Sequence, residues 1–262
     1  MSAPILVTGG TGTLGRLVIP LLRDAGHRVR VLSRHGGRPA DGVAHVTADL
    51  LTGAGVLPAV QGVRTVLHLA GGPKGDDVAA RTLVDAARRA GVRHLVHISV
   101  VGADRVPLAW LRSKLDAERA IADSGVPWTV LRAAQFHDLT LTMLAKLAAL
   151  PVVPVPRGLR LEPVDAAEVA ARLVELTLGE PAGLVPDLVG PARYGVDELM
   201  RDYLRAVGKR RLFLPVPLPG RAGRAYRDGD NLARDGAVTG GRSWAEFLAE
   251  RLGQRDVAAA GR

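Results

Sequence analysis

The chain has 262 residues, 47% of them hydrophobic, which is material for one large domain or one domain with a smaller annex. It holds no cysteine, so disulfides, thiolate metal sites and cysteine nucleophiles are excluded, and it has no apolar run of the roughly 18 residues that a membrane-spanning helix needs. The net charge is +9, but the arginines are scattered and no basic run alternates with aromatics, so nucleic acid is not an expected partner.

"MSAPILVTGG" opens directly into an apolar strand pattern, without the charged start and long apolar stretch of a secretory signal, which predicts a cytoplasmic protein. Ile5, Leu6 and Val7 make the first short strand. Leu14, Leu17, Val18, Leu21 and Leu22 recur at helical spacing, and Gly26 stops that helix. Val29, Val31 and Leu32 mark a second strand, "VAHVTADL" a third and "VRTVLHLA" a fourth. A helix over "DVAARTLVDAARRAG" leads to a fifth strand, "VRHLVHISV". A helix ending near Ser124 leads to a sixth, "PWTVLRA". Strands alternating with helices, each strand apolar nearly throughout, predict a parallel, doubly wound α/β sheet covered on both faces.

Beyond residue 150 the pattern changes. "LPVVPVPRG" is rich in proline. Helices are predicted over "EPVDAAEVAARLVELTLG" from near Asp165, over "GVDELMRDYLRAVG" and over "SWAEFLAERLG". The last is opened by a capping box of Ser243 and Glu246. "GLVPDLVGP" carries a short strand, "DGDNLARDGAVTGGR" a surface loop, and the final residues are expected to fray.

"TGGTGTLG" places Gly9, Gly12 and Gly15 between the first strand and the first helix. The first glycine permits a tight turn, the second lets the backbone approach a pyrophosphate, and the third lets helix and strand pack closely. The phosphates would lie at the positive helix end, on backbone N–H groups around Thr11, Thr13 and Leu14. This strand–turn–helix–strand context points to a dinucleotide site of the Rossmann type. At the end of the second strand an acid would accept from the ribose of NAD. "VLSRHGGR" instead has Ser33 and Arg34, with no acid before Asp41. Arg34, assisted by Ser33 and Arg38, suits the 2′-phosphate of NADP(H), which is therefore expected over NAD(H). Residues 1–150 are read as the NADP-binding domain, and 151–262 as a smaller substrate-side region interleaved with it.

Further stretches follow in a specific order. These are "TADL" with Asp49 and Leu50; "LHLAGG", residues 67–72, with Leu69, Ala70 and Gly71; and "HISVVG" with Ser99 and Val100. After them come Lys114 in "AWLRSKLDAE", "TVLRAAQF" at 129–136 with Ala133 and Phe136, and "PVDAAEVA" at 163–170. Together with the glycine turn, they resemble an atypical short-chain dehydrogenase/reductase of the NmrA-like, NAD(P)H-binding kind over nearly the whole length. The resemblance implies that Asp49 and Leu50 lie at the adenine, the 69–71 loop over the adenosine, Ala133 beside the nicotinamide, and Lys114 on its ribose. It also implies Ser99 as the serine that hydrogen-bonds a substrate oxygen.

One position departs. Catalytic members of that family carry a tyrosine four residues before the lysine, as proton donor to a carbonyl; here Trp110 stands there. An indole N–H donates a hydrogen bond but has no proton to release in this pH range. Tyr194, Tyr203 and Tyr226 are far along the chain. Ser99, Lys114 and Trp110 are thus the positions for chemistry, and Val100, Trp110, Phe136 and His137 those for substrate. Trp110 also reads as a packing residue on a buried helix face. Phe136, Leu139, Leu141, Met143 and Leu144 read as a cavity wall or as core. His68, His94 and His97 read as core or edge histidines, and no metal is expected. Two functions follow from the resemblance. One is NADP(H)-dependent reduction of a small apolar carbonyl, quinone or enone without the usual tyrosine. The other is a non-catalytic NADP(H) sensor. A small-molecule substrate is the expected partner, with a second copy or a regulatory protein as alternatives.

Overall fold

A computed structural model describes residues 3–37, 41–72 and 74–260, with side chains to residue 253. In chain order the elements begin with β1 (Ile5–Thr8), α1 (Thr13–Asp24), β2 (Val29–Ser33), β3 (Val43–Thr47), α2 (Val56–Val60) and β4 (Thr65–His68). Next come α3 (Asp76–Ala90), β5 (His94–Val100), α4 (Ala109–Ala122), β6 (Trp128–Ala133), α5 (His137–Leu147), β7 (Val152–Pro156), β8 (Arg160–Leu161) and α6 (Ala166–Leu178). The rest are β9 (Gly183–Leu184), β10 (Leu188–Val189), β11 (Tyr194–Gly195), α7 (Val196–Ala206), β12 (Leu212–Val216), α8 (Gly220–Asp228), β13 (Val238–Thr239) and α9 (Trp244–Ala260). The chain forms two compact units and passes repeatedly between them: residues 1–104, 108–132 and 167–186 make the first, and 105–107, 133–166 and 187–262 the second.

In the first unit the strand order is β9-β6-β5-β4-β1-β2-β3. β1 runs parallel to both β2 and β4, β2 to β3, β4 to β5, and β6 to β9. This is the Rossmann-type α/β fold that the alternation predicts. Central β1 is buried at all of its 4 positions, which is why it reads as an unbroken apolar run. From β1 the chain winds outward through β2 and β3, then returns to lay β4, β5 and β6 on the other side. The order therefore reverses between β1 and β4, and a crevice at such a reversal is where open α/β sheets bind ligands. Leu6, Val66 and Leu95 of the sheet share a core with Leu83 of α3 and Ile121 of α4, all fully buried. Each such side chain contributes roughly 1.5–3 kcal/mol. Helix α2 was not predicted; at 5 residues it is too short to show a helical period.

The second unit has its own core, in which Leu144, Leu199, Met200, Trp244 and Phe247 meet. β7 and β12 pair in parallel, β8 and β11 antiparallel, and β10 lies beside β13 with Leu188 opposite Ala133. The proline-rich stretch after residue 150 contains β7, because a two-stranded ribbon tolerates proline that an inner strand would not. The segment 228–242, expected as a surface loop, is partly inside: Leu232 and Ala233 are only 4% and 8% exposed, and Val238–Thr239 pairs with β10. The predicted capping box is formed. Ser243 donates to Glu246 Oε2 from its backbone N–H at 2.8 Å and from its hydroxyl at 2.7 Å.

Candidate cofactor site

The glycine turn lies at the β1–β4 reversal. Gly9 has φ +69°, and a Cβ there would stand 2.6 Å from the backbone nitrogen of Ala70. A Cβ on Gly15 would stand 2.4 Å from Gly10 Cα. Both positions are glycine because the protein's own backbone fills the space. Gly12 differs: within 4 Å a Cβ would meet only the carbonyl of Gly9, at 3.3 Å. This open cradle borders the start of α1, which has no side-chain cap and no acid in its first turn. The first N–H groups of a helix lack intrahelical acceptors, so Thr13, Leu14 and Gly15 offer donors and a positive dipole end to an anion. The residues present fit a dinucleotide's pyrophosphate.

Thr8, fully buried at the end of β1, straps the next loop down. Its Oγ1 accepts from Ala70 N–H at 3.1 Å and bonds His68 Nδ1 at 2.7 Å, while Leu69 N–H donates to Thr8 O at 3.2 Å. Leu69, Ala70 and Gly71 are thereby brought against the glycine turn. At the end of β2, Ser33 donates to Gly36 O at 2.6 Å. Arg34 beside it is exposed and makes no ion pair among the described residues. Arg38 lies outside the described residues. After β3, Asp49 accepts from Leu51 N–H at 2.9 Å, and Leu50 is buried.

Lys114, on α4, forms an ion pair of 2.7 Å with Asp76, the first residue of α3; their side chains are only 14% and 6% exposed. Asp76 also accepts from Gly72 N–H at 2.8 Å. The lysine is therefore held beside the 70–72 loop, and a Cβ on Gly71 would come within 2.7 Å of its Nζ. Asp76 was not picked out from the sequence. An acid directly after "GGPKG" at a helix start is the signal that was there to find. Trp110, in the first turn of α4, is 39% exposed, so it is no core residue. Val100 is half-buried at the end of β5.

Ser99 is only 2% exposed, and its hydroxyl donates to Glu118 of α4. Glu118 is gripped by Arg132 through Nε at 3.0 Å and Nη2 at 2.6 Å, and Arg132 reaches Asp104 at 3.1 Å. Burial works against the guanidinium's charge, but Glu118 and then Asp104 outweigh it and hold its pKa above the ordinary range. Ser99 thus spends its single proton on Glu118. Neither Glu118 nor Arg132 was read as functional in the sequence.

His68 and His97 stack beneath the loop with ring centroids 4.9 Å apart, both essentially without exposure. Burial, and after it Lys114, lowers His68 to a pKa of about 4, against an opposing pull from Asp76. His97 is lowered likewise, by burial first and then by His68. Both rings are neutral core side chains at neutral pH, as their strand positions predict.

The remaining predicted residues belong to the second unit. Ala133 is buried at the end of β6. Phe136 is half-buried and bridges Val164. His137 is fully buried, with its ring 5.0 Å from Phe247 and its Nε2 at 3.1 Å from Arg242 O. In the expected apolar wall, Leu141 and Leu144 are core while Leu139 is 54% exposed.

Strand, glycine turn and uncapped helix at a sheet reversal define a dinucleotide-binding protein. The chain belongs to the NAD(P)H-binding family, whose pattern it matches over residues 9–176. Its relatives lie in the atypical, NmrA-like short-chain dehydrogenase/reductase group. It is 35% identical over 214 residues to the (4-alkanoyl-5-oxo-2,5-dihydrofuran-3-yl)methyl phosphate reductase of Streptomyces griseus, covering 78% of this chain and 74% of that one. It is 26% identical to quinone oxidoreductase 2 of Escherichia coli, covering 79% and 75%. Among solved structures, the NADPH complex of the Escherichia coli quinone oxidoreductase shares the fold with a TM-score of 0.71, at 22% identity and with 98% and 100% of the two chains covered. The NADP(H) complex of Citrobacter sp. triphenylmethane reductase does so with a TM-score of 0.75, at 22% identity and with 94% and 99% covered. Among the described residues no helix is long and apolar enough to cross a membrane.

Proposed function

We propose that the protein is an NADP(H)-dependent reductase of small, largely apolar conjugated acceptors, quinones or enones. The observation that carries this reading is Trp110, an indole 39% exposed at the position of the missing tyrosine, one turn before a lysine already paired with Asp76. Reduction of an isolated ketone leaves an alkoxide, which needs a proton from a positioned acid. Hydride addition to a quinone, or to the β-carbon of an enone, leaves a phenolate or enolate that takes its proton from water. Such a site needs orientation more than an acid.

When bound, the cofactor supplies the hydride. The first turn of α1 holds its pyrophosphate, Asp49 and the 69–71 loop its adenosine, and Lys114, steadied by Asp76, the ribose next to the nicotinamide. Arg34, exposed and without an ion pair among the described residues, is free to take the 2′-phosphate. Val100 and Trp110 present apolar side chains for an acceptor. The names of the Streptomyces griseus and Escherichia coli relatives, a reductase of an oxo- and alkanoyl-substituted dihydrofuran methyl phosphate and a quinone oxidoreductase, both describe conjugated acceptors, the first of them carrying a phosphate besides.

The test is oxidation of NADPH and of NADH against quinones, cyclic enones and saturated ketones. Quinones or enones should turn over and saturated ketones should not. NADPH should be preferred at least about tenfold, a margin that one charge-assisted contact provides and that Arg34→Ala should erase. NADPH binding without turnover of any acceptor would replace the enzyme with a cofactor-state sensor. Equal use of the two cofactors would remove the NADP(H) preference.

A further inference from the structure

The second unit carries a charged and apolar surface that the cofactor site does not use. From residue 206 to residue 227 the chain holds Lys209, Arg210, Arg211, Arg221, Arg224 and Arg227 and no acid at all. Between these two basic groups runs "LFLPVPLPG". Lys209 and Arg210 are exposed and make no ion pair among the described residues. Among the described residues Arg211 donates only to the backbone carbonyls of Ala148 at 3.1 Å and Arg210 at 2.9 Å, and Arg227 to that of Leu218 at 2.9 Å, so neither charge is in an ion pair. The basic run Lys209–Arg211 also lines a groove of about 720 Å³ with Phe213.

The apolar part is ordered by strand register. β12 pairs with β7 so that Leu212 stands opposite Val152 and Leu214 opposite Pro154. Registered neighbours in a parallel pair project to the same face, and alternate residues to the other. On one face Val153 and Val155 are buried in the core, at 0% and 7% exposure. On the other, Leu212 is 72% exposed, Leu214 55% and Val152 41%. A ribbon of outward aliphatic side chains is therefore flanked along the chain, before and after β12, by cations that make no ion pair among the described residues.

Charge decides what covers it. A second copy meeting this face by a two-fold axis would set the basic segments of one copy against the basic segments of the other, while the nearby acids Asp197 and Asp202 are already paired with Arg201 and Arg205. The occupant must carry negative charge and also accept leucines. A bilayer surface with anionic lipids does both, because aliphatic side chains enter the headgroup–acyl boundary while Lys and Arg heads stay at the phosphates. We propose that the face built from β7, β12 and the basic segments on either side of β12 docks on anionic lipid bilayers. The proposal is independent of the reductase reading, since it concerns residues outside the cofactor machinery.

The experiment is flotation of the full chain with vesicles of phosphatidylcholine alone and with phosphatidylglycerol added, at low and high salt. Two variants accompany the wild type, Lys209→Glu/Arg210→Glu/Arg211→Glu and Leu212→Ser/Leu214→Ser, each checked for a cooperative melt and for NADPH binding. We expect binding to the anionic vesicles only, weakened by salt. The charge variant should lose more than tenfold in partition, since each cation near such a surface is worth about fivefold. The leucine variant should lose the part that survives high salt. No binding to anionic vesicles, equal binding to phosphatidylcholine, or a leucine variant that partitions like wild type would overturn the proposal. So would a wild-type dimer in light scattering that dissociates in the leucine variant.

Discussion

At the scale of single residues, Gly12 and Trp110 separate ligand chemistry from folding. Gly12 has φ −77° and ψ −179°, extended backbone that any residue adopts, and only one protein atom lies near its missing Cβ. Gly12→Val should therefore melt within a few degrees of wild type yet fail to bind NADPH in calorimetry. Gly15→Val, driven into Gly10, should not fold. Normal binding by Gly12→Val would move the pyrophosphate elsewhere. Trp110→Tyr tests whether only an acid is missing. Position 110 is 39% exposed, so the swap should change stability by less than about 0.5 kcal/mol. It places a phenol on the helix face of Lys114, and a positioned general acid contributes roughly 10²–10⁴ in rate. Saturated ketones should then become measurable substrates, with the gain lost in Trp110→Tyr/Lys114→Ala. A folded, NADPH-binding Trp110→Tyr protein with no ketone activity would mean that more than the acid is missing.

At the scale of elements, what was legible in the sequence depended on length and on partners. β1 to β6 were readable because each is an apolar run bounded by turns, and the glycine turn because its context is local. β8, β11 and β13 have 2 residues each and show no period, so tertiary pairing alone defines them. The site divided along the same line. Asp76 with Lys114, and Ser99 with Glu118 and Arg132, join residues from different elements, and no spacing in one chain announces them. The second set ties β5, α4 and β6 together through a buried ion pair. Removing one partner of such a pair costs about 3–5 kcal/mol, because the other charge is left buried, whereas an apolar pair of similar volume is often neutral. Arg132 keeps Asp104 at 3.1 Å, so Glu118→Leu should lower stability in urea by less than that amount, and adding Arg132→Met should restore part of it. Equal loss in the single and double variants would show that packing, rather than the guanidinium's lost carboxylate partner, sets the cost.

At the scale of the whole molecule, the stacked pair of buried histidines couples folding to pH. His68 has an ordinary value of 6.5 and a folded value of about 4. Between those values the unfolded chain takes up a proton that the folded protein refuses, so stability falls as pH falls. His97 is shifted in the same direction, which adds to the slope. Each unit of pH below 6.5 costs about 1.4 kcal/mol per fully shifted group, or about 2 kcal/mol from His68 alone by pH 5. Ordinary carboxylates titrate mostly below this window, so the histidines dominate it. The cost is large against a typical total of about 5–15 kcal/mol for a folded domain. Urea denaturation at pH 7.5 and pH 5.0 should show the loss in wild type. It should be smaller in His68→Phe, which keeps a planar ring over His97 but takes up no proton. Wild-type stability that stays flat across the window would mean that both rings bind protons as readily folded as unfolded, and the burial that explains their neutrality would have to be abandoned.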